Sequence, residues 1–148
     1  MDKILHILTG AIGTGKSTFA KEFSESHKIP IISGDKIEEE SSTKDENEIN
    51  SDLMLDFNYA LDSESSFIID CQNLNKYSRS LFIKPAARLG YKIVCHDFGP
   101  GDENSLNQRL NEPRGVDKER WKAIAKENKE AYEKPELSEG INKINTKY

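Results

Sequence analysis

The sequence predicts an α/β domain: a parallel sheet of about five strands with helices on both faces. Two observations carry this. Short apolar runs of strand length alternate along the chain with longer segments whose apolar residues recur at helical spacing. The runs also end in glycine-rich turns or in acids, as strands do where their carboxyl ends open onto a binding crevice.

The elements follow in order. Lys3 to Thr9 is apolar and β-compatible, and a glycine-rich turn leads from it into a helix beginning at Ser17, with Phe19, Ala20 and Phe23 on one face. Ile29 to Ser33 reads as a short second strand, with Pro30 near its start, where a missing N–H does least harm. Glu38 to Asp52 holds seven acids against one lysine, which predicts a solvated, mobile loop or frayed helix. A helix around Leu53 to Leu61 leads to the buried-type strand Ser66 to Asp70, and Asn73 to Asn75 then forms a loop. Tyr77 to Leu89 fits an amphipathic helix closed by Gly90, and Tyr91 to Phe98 a fourth strand ended by Gly99-Pro100-Gly101. Asp102 to Leu110 and Asp117 to Tyr132 read as helices separated by a break around Pro113, and Ile141 to Ile144 as a short last strand.

At 148 residues the chain suits one domain, residues 1–148, with a single core. Its longest apolar runs are far short of the roughly 20 residues that span a bilayer, and the start Met1-Asp2-Lys3 is not that of a secretory signal. The expectation is a cytoplasmic protein with no membrane partner. Cys71 and Cys95 end strand-like runs without a second thiol or imidazole at ligand spacing, so they read as buried free thiols. The formal net charge of −5 means that a polyanionic substrate would need a local cluster of cations to hold it.

The most specific signal is Gly10-Ala11-Ile12-Gly13-Thr14-Gly15-Lys16-Ser17, which matches G-x-x-x-x-G-K-[ST] between a predicted strand and a predicted helix. This is the P-loop of nucleoside triphosphatases. Its glycines let the N–H groups around Gly13, Thr14 and Gly15 converge on phosphate oxygens, and the helix that follows aims its positive end at the same anion. Lys16 supplies charge at the β and γ phosphates, Ser17 a hydroxyl for Mg²⁺, and Thr18 a weaker contact to the α-phosphate. The cofactors expected are ATP, or another nucleoside triphosphate, and Mg²⁺.

Phosphoryl transfer also needs a carboxylate to align an attacking hydroxyl. Asp35 follows the second strand directly and suits that role, with capping of the next helix as its other reading. Asp70 ends the third strand as a Walker-B-like acid would when it holds the Mg²⁺ shell, and loop capping is its alternative. Arg109 and Arg114 flank the break between two helices, either as a small arginine-bearing lid over the phosphates or as solvated surface residues. Asn73 and Asn75 offer amides at the crevice mouth or serve as turn residues. From these residues alone the phosphate acceptor stays open between a polynucleotide end and a smaller hydroxyl compound such as a nucleoside or modified nucleobase. A nucleotide-gated binding module with little transfer is a third reading.

With Gly13 to Phe23, Asp35, Asn73-Leu74-Asn75 and the Arg109 to Arg114 segment in place, the chain resembles the 5′-hydroxyl polynucleotide kinases, in particular the kinase domain of the bacteriophage end-healing enzymes. The resemblance implies a sheet of adenylate-kinase type, ATP and Mg²⁺, and a DNA or RNA 5′ end as substrate. It also implies Asp35 as general base, Arg109 and Arg114 as the lid arginines, and a tendency to form homo-oligomers; with Lys16 from the P-loop, Asp35 and Arg114 make the expected catalytic set. One departure stands out: where the viral enzyme carries an arginine three residues beyond its base, this chain has Glu38, followed by Glu39 and Glu40. A substrate phosphate would then need Lys36, Lys76, Arg79 or Lys84 instead.

Overall fold

The computed structural model describes residues 2–42, 45–111 and 117–148. Five strands form one sheet in the order β2-β3-β1-β4-β5: β1 Ile4–Thr9, β2 Ile31–Ser33, β3 Phe67–Asp70, β4 Lys92–Asp97 and β5 Lys143–Thr146. Every pairing is parallel. Among the described residues six α-helices and a short 3-10 turn at Leu137–Glu139 connect them: α1 Lys16–His27, α2 Gly34–Glu40, α3 Glu46–Asp62, α4 Lys76–Arg88, α5 Glu103–Leu110 and α6 Lys118–Ala131. Among the described residues no helix is long and apolar enough to cross a membrane.

The apolar runs are continuous because both faces of the sheet are covered, and the two-residue period of a strand divides each run between two cores. Leu5, Ile7, Phe67, Ile69, Ile93 and Cys95 join Phe57, Leu61, Phe82 and Ile83 in a cluster with α3 and α4. Leu8, Ile68 and Phe98 pack with Ala20 of α1 on the other face. There His6 and His96 meet at 3.1 Å between ring nitrogens, next to the ring of Phe23.

The structure differs from the sequence expectation at two strands and decides one element that the sequence left open. Of the two readings of the acidic stretch, loop or frayed helix, the helix holds: α2 and α3 take up most of it, largely exposed, because Ser33 accepts from Lys36 N–H at 3.2 Å and Asp45 from Asn47 N–H at 2.8 Å, each capping a helix start. Glu46 and Glu48 then sit in the first turn of α3, where the helix dipole favours acids. β2 starts only at Ile31, since the Ile29 N–H still closes the end of α1 on Ser24 O. β5 begins two residues later than expected: Ile141 is a core plug, and Asn142 exchanges hydrogen bonds of 2.8 Å with Ile93 ahead of the strand.

Candidate active site

At the carboxyl end of β1 the chain makes the P-loop turn. Gly10 lies so close to Phe98 that a Cβ there would meet Phe98 Cβ at 2.7 Å, so only glycine fits. Gly13 and Gly15 take left-handed φ values of 78° and 93°, and Gly15 precedes the first turn of α1 without a side chain to block it.

The loop's backbone donors fall into two groups. Gly10 N–H donates to Gln72 O, Ala11 N–H to Gly99 O, both at 3.0 Å, and Ile12 N–H to Asn128 Oδ1 at 2.8 Å. No hydrogen bond among the described residues takes the N–H groups of Gly13, Thr14 and Gly15, which are the donors that a phosphate chain requires. Lys16 Nζ donates to Ala11 O at 2.9 Å, and Thr14 Oγ1 to the same carbonyl at 2.7 Å. Burial lowers the Lys16 pKa, opposed by the carboxylates of Asp70 and Asp35.

Ser17 Oγ donates to Asp70 Oδ2 at 3.1 Å. Burial raises the Asp70 carboxyl above its usual range, while the Ser17 hydroxyl and the Lys16 charge pull it down. The two oxygens form a hard donor pair beside the cradle, and no group of three or more His, Cys, Asp or Glu that could cage a metal occurs among the described residues. That set fits Mg²⁺ held mainly by phosphate and water oxygens.

A cavity of about 630 Å³ opens over the loop, and Gly13, Gly15, Lys16, Ser17, Thr18, Asp35 and Asp70 all border it. Thr14 is not among the residues that border it, and its hydroxyl is taken by Ala11 O within the loop. Asp35 lies exposed in the first turn of α2, and the capping hydrogen bond there belongs to Ser33, not to Asp35. Glu38 and Glu39 share its side of the cavity, and Cys71 lines the cavity between α2 and β3, its thiol pushed up to about 12 by burial.

The facing wall comes from Asp117, Arg120, Trp121 and Ile124. The sequence reading did not select these residues, although their spacing of three, one and three marks one face of a helix, and Trp121 is the single tryptophan. Arg109 lies on α5, and Arg114 falls outside the described residues.

Several other candidates belong elsewhere. Asn73 is buried at a φ of 47°, with its amide donating to Leu8 O at 3.0 Å, and Asn75 Oδ1 caps α4 by accepting from Ser78 N–H at 2.8 Å, so neither amide serves the crevice mouth. Arg79 is no substrate contact: it is fully buried, with Nε 2.8 Å from Glu139 Oε1 and Nη1 donating to Thr9 Oγ1, Asn73 O and Leu74 O. Lys76 pairs with Glu136 at 3.0 Å on the surface, and Lys36, Lys76 and Lys84 do not border the cavity.

Similar folds are found among solved structures. A gluconokinase from Sinorhizobium meliloti 1021 is 18% identical at a TM-score of 0.64, covering 97% of this chain and 81% of its own. Kti12 of Chaetomium thermophilum in complex with ADP-AlF3 is 18% identical at 0.67, covering 97% and 88%. The APS kinase of Mycobacterium tuberculosis in complex with AMPPNP and APS is 17% identical at 0.65, covering 98% and 88%. A search of curated protein sequences finds no match. The sheet order, the P-loop and these likenesses define an α/β P-loop nucleoside-triphosphatase fold, and residues 5–131 match the family model described as AAA domain, so the chain belongs to that family.

Proposed function

We propose that this chain is an ATP- and Mg²⁺-dependent kinase that transfers the γ-phosphoryl group to a hydroxyl of a small molecule seated between Asp35 and Trp121. The observation that carries this reading is the single cavity in which Lys16, the Ser17–Asp70 pair and Asp35 meet under a wall of Trp121 and Ile124. Its volume of about 630 Å³ lies in the small-ligand range with the phosphate cradle included in it. The similar folds include a gluconokinase and an APS kinase, both named for small acceptors.

A polynucleotide end is the weaker acceptor. It would require cations leading to Asp35, yet Glu38 and Glu39 border the cavity there, and of the described residues only Lys16 and Arg120 bring positive charge to its lining. Lys16 is committed to the nucleotide.

In this scheme the N–H groups of Gly13 to Gly15 and the Lys16 ammonium hold the β and γ phosphates, the latter exchanging its bond to Ala11 O for phosphate oxygens. Ser17 and Asp70 would hold Mg²⁺, which offsets charge on the phosphate oxygens. The Asp35 carboxylate accepts the acceptor's hydroxyl proton as that oxygen bonds to the γ phosphorus, and the bond to the β–γ bridging oxygen breaks to release ADP. The Trp121 and Ile124 wall limits competing attack by water.

The test is transfer from γ-labelled ATP with Mg²⁺ to nucleosides, to sugars and sugar acids, to 5′-OH DNA or RNA oligonucleotides, or to no acceptor, with Asp35→Asn as control. Label on a small hydroxyl compound, reduced about 10²- to 10⁴-fold in Asp35→Asn while nucleotide affinity is kept, is the expected result. Label on an oligonucleotide end would move the acceptor to the polynucleotide class. ADP formed without any labelled acceptor would refute the transferase reading.

A further inference from the structure

Of the first three P-loop N–H groups, two are held by carbonyls of neighbouring loops, and the third, on Ile12, is held by a side chain 116 residues away in sequence. That side chain is Asn128, which is 5% exposed. Its Oδ1 accepts from Ile12 N–H at 2.8 Å, and its Nδ2 donates to Gln72 Oε1 at 3.3 Å. Gln72 in turn accepts Gly10 N–H through its own carbonyl at 3.0 Å and borders the cavity. One amide thus ties α6 to the P-loop and to the segment after β3.

The same end of α6 is fixed twice more. Tyr132 OH donates to the Asp97 carboxylate at 2.8 Å, and Glu133 N–H to Leu74 O at 2.8 Å. The other end is the part that bears Arg120, Trp121 and Ile124 over the cavity. Trp121 and Asn128 are seven positions apart, about 10 Å of helix. The helix is therefore anchored at the phosphate cradle and extends from there over the acceptor side.

We infer that Asn128 is a positioning residue that couples the P-loop to the cavity wall: it fixes the Ile12 peptide so that the following N–H groups face the phosphates, and it passes changes in that loop to Trp121. This goes beyond the proposed reaction and does not depend on which acceptor is used. A buried amide that only satisfied its own polar atoms would support folding without linking the two ends of the cavity.

The experiment uses the full chain, Mg·AMPPNP and the emission of Trp121. Asn128→Leu, close in volume, removes both hydrogen bonds and should weaken Mg·AMPPNP binding about tenfold. It should also abolish most of the nucleotide-induced change in Trp121 emission, at a temperature where the variant is fully folded. A lower Tm with affinity and emission change both as in the wild type would overturn the proposal, because that is the signature of a purely structural amide. Amide exchange of the wild-type protein tests the link without a variant: exchange at Ile12 should slow when Mg·AMPPNP binds. An Ile12 exchange rate indifferent to nucleotide would equally overturn it.

Discussion

Glu139→Gln probes the buried pair behind the phosphate cradle. Arg79 is fully buried, its partner carboxylate is 9% exposed, and the guanidinium makes two contacts to Glu139, Nε–Oε1 at 2.8 Å and Nη2–Oε2 at 3.2 Å. Removing one charge from such a pair leaves the other without compensation in the interior, a loss of about 3–5 kcal/mol. Solvent screening offers little relief here, since the guanidinium is wholly enclosed and the carboxylate only slightly exposed. For a chain of this length each kcal/mol shifts Tm by roughly 3 °C, so Glu139→Gln should melt about 9–15 °C below the wild type. Urea unfolding should show a lower midpoint at an unchanged slope. Arg79 also donates to Thr9 Oγ1 and to the carbonyls of Asn73 and Leu74, so loosening it should raise the nucleotide Kd as well. A stability loss under about 1 kcal/mol would refute the reasoning, for it would mean that water or a relaxed side chain replaces the carboxylate at no cost.

The paired histidines should make stability fall in acid. Burial, with His27 adding to it, lowers His6 from its ordinary value to about 4, and burial, then His6 and the lysines 147 and 143, lower His96 to about 3. Below the unfolded value of about 6.5 the unfolded chain binds protons that the folded chain refuses. Stability is therefore complete above that pH and declines below it by about 1.4 kcal/mol per pH unit for each ring, until the folded values are reached. Urea titrations from pH 7 to 4.5 should show this slope and lose it in a His6→Leu, His96→Leu variant; an unchanged slope there would place the acid sensitivity elsewhere. Ser17→Ala removes one oxygen of the pair with Asp70 and should raise the Mg²⁺ concentration for half-maximal ADP formation about 10- to 100-fold. An unmoved midpoint would take Ser17 out of the metal site.

The phosphate cradle was legible because its chemistry is local: three closely spaced glycines, a lysine and a hydroxyl act within the eight residues Gly10 to Ser17, so the spacing in sequence is the spacing in space. Strands were legible for a similar reason, since a parallel strand covered on both faces leaves a solid apolar run such as Phe67-Ile68-Ile69. The acidic segment was legible as solvated but stayed open between loop and helix, because charge count speaks about solvent, whereas helix formation there rests on the caps Ser33 and Asp45 and on where the acids fall in the first turn. The wall of Arg120, Trp121 and Ile124 and the Asn128 anchor were hidden because they act over more than a hundred residues of sequence. Arg79 was misread for the same reason: nothing local announces that a guanidinium on a helix will meet Glu139, 60 residues on, and be enclosed.

The position of β1 at the middle of the sheet has a further consequence, in the order of events during synthesis. The strand made first pairs with Phe67–Ile69 on one side and with Lys92–Asp97 on the other, so the ribosome must deliver most of the chain before its edges are closed. The P-loop that follows it gains its Gly99 carbonyl later still, and its Asn128 contact last. A nascent chain halted before α6 carries the whole nucleotide motif but lacks part of the frame that shapes it, so nucleotide should rescue the finished chain from unfolding much more effectively than the truncated one.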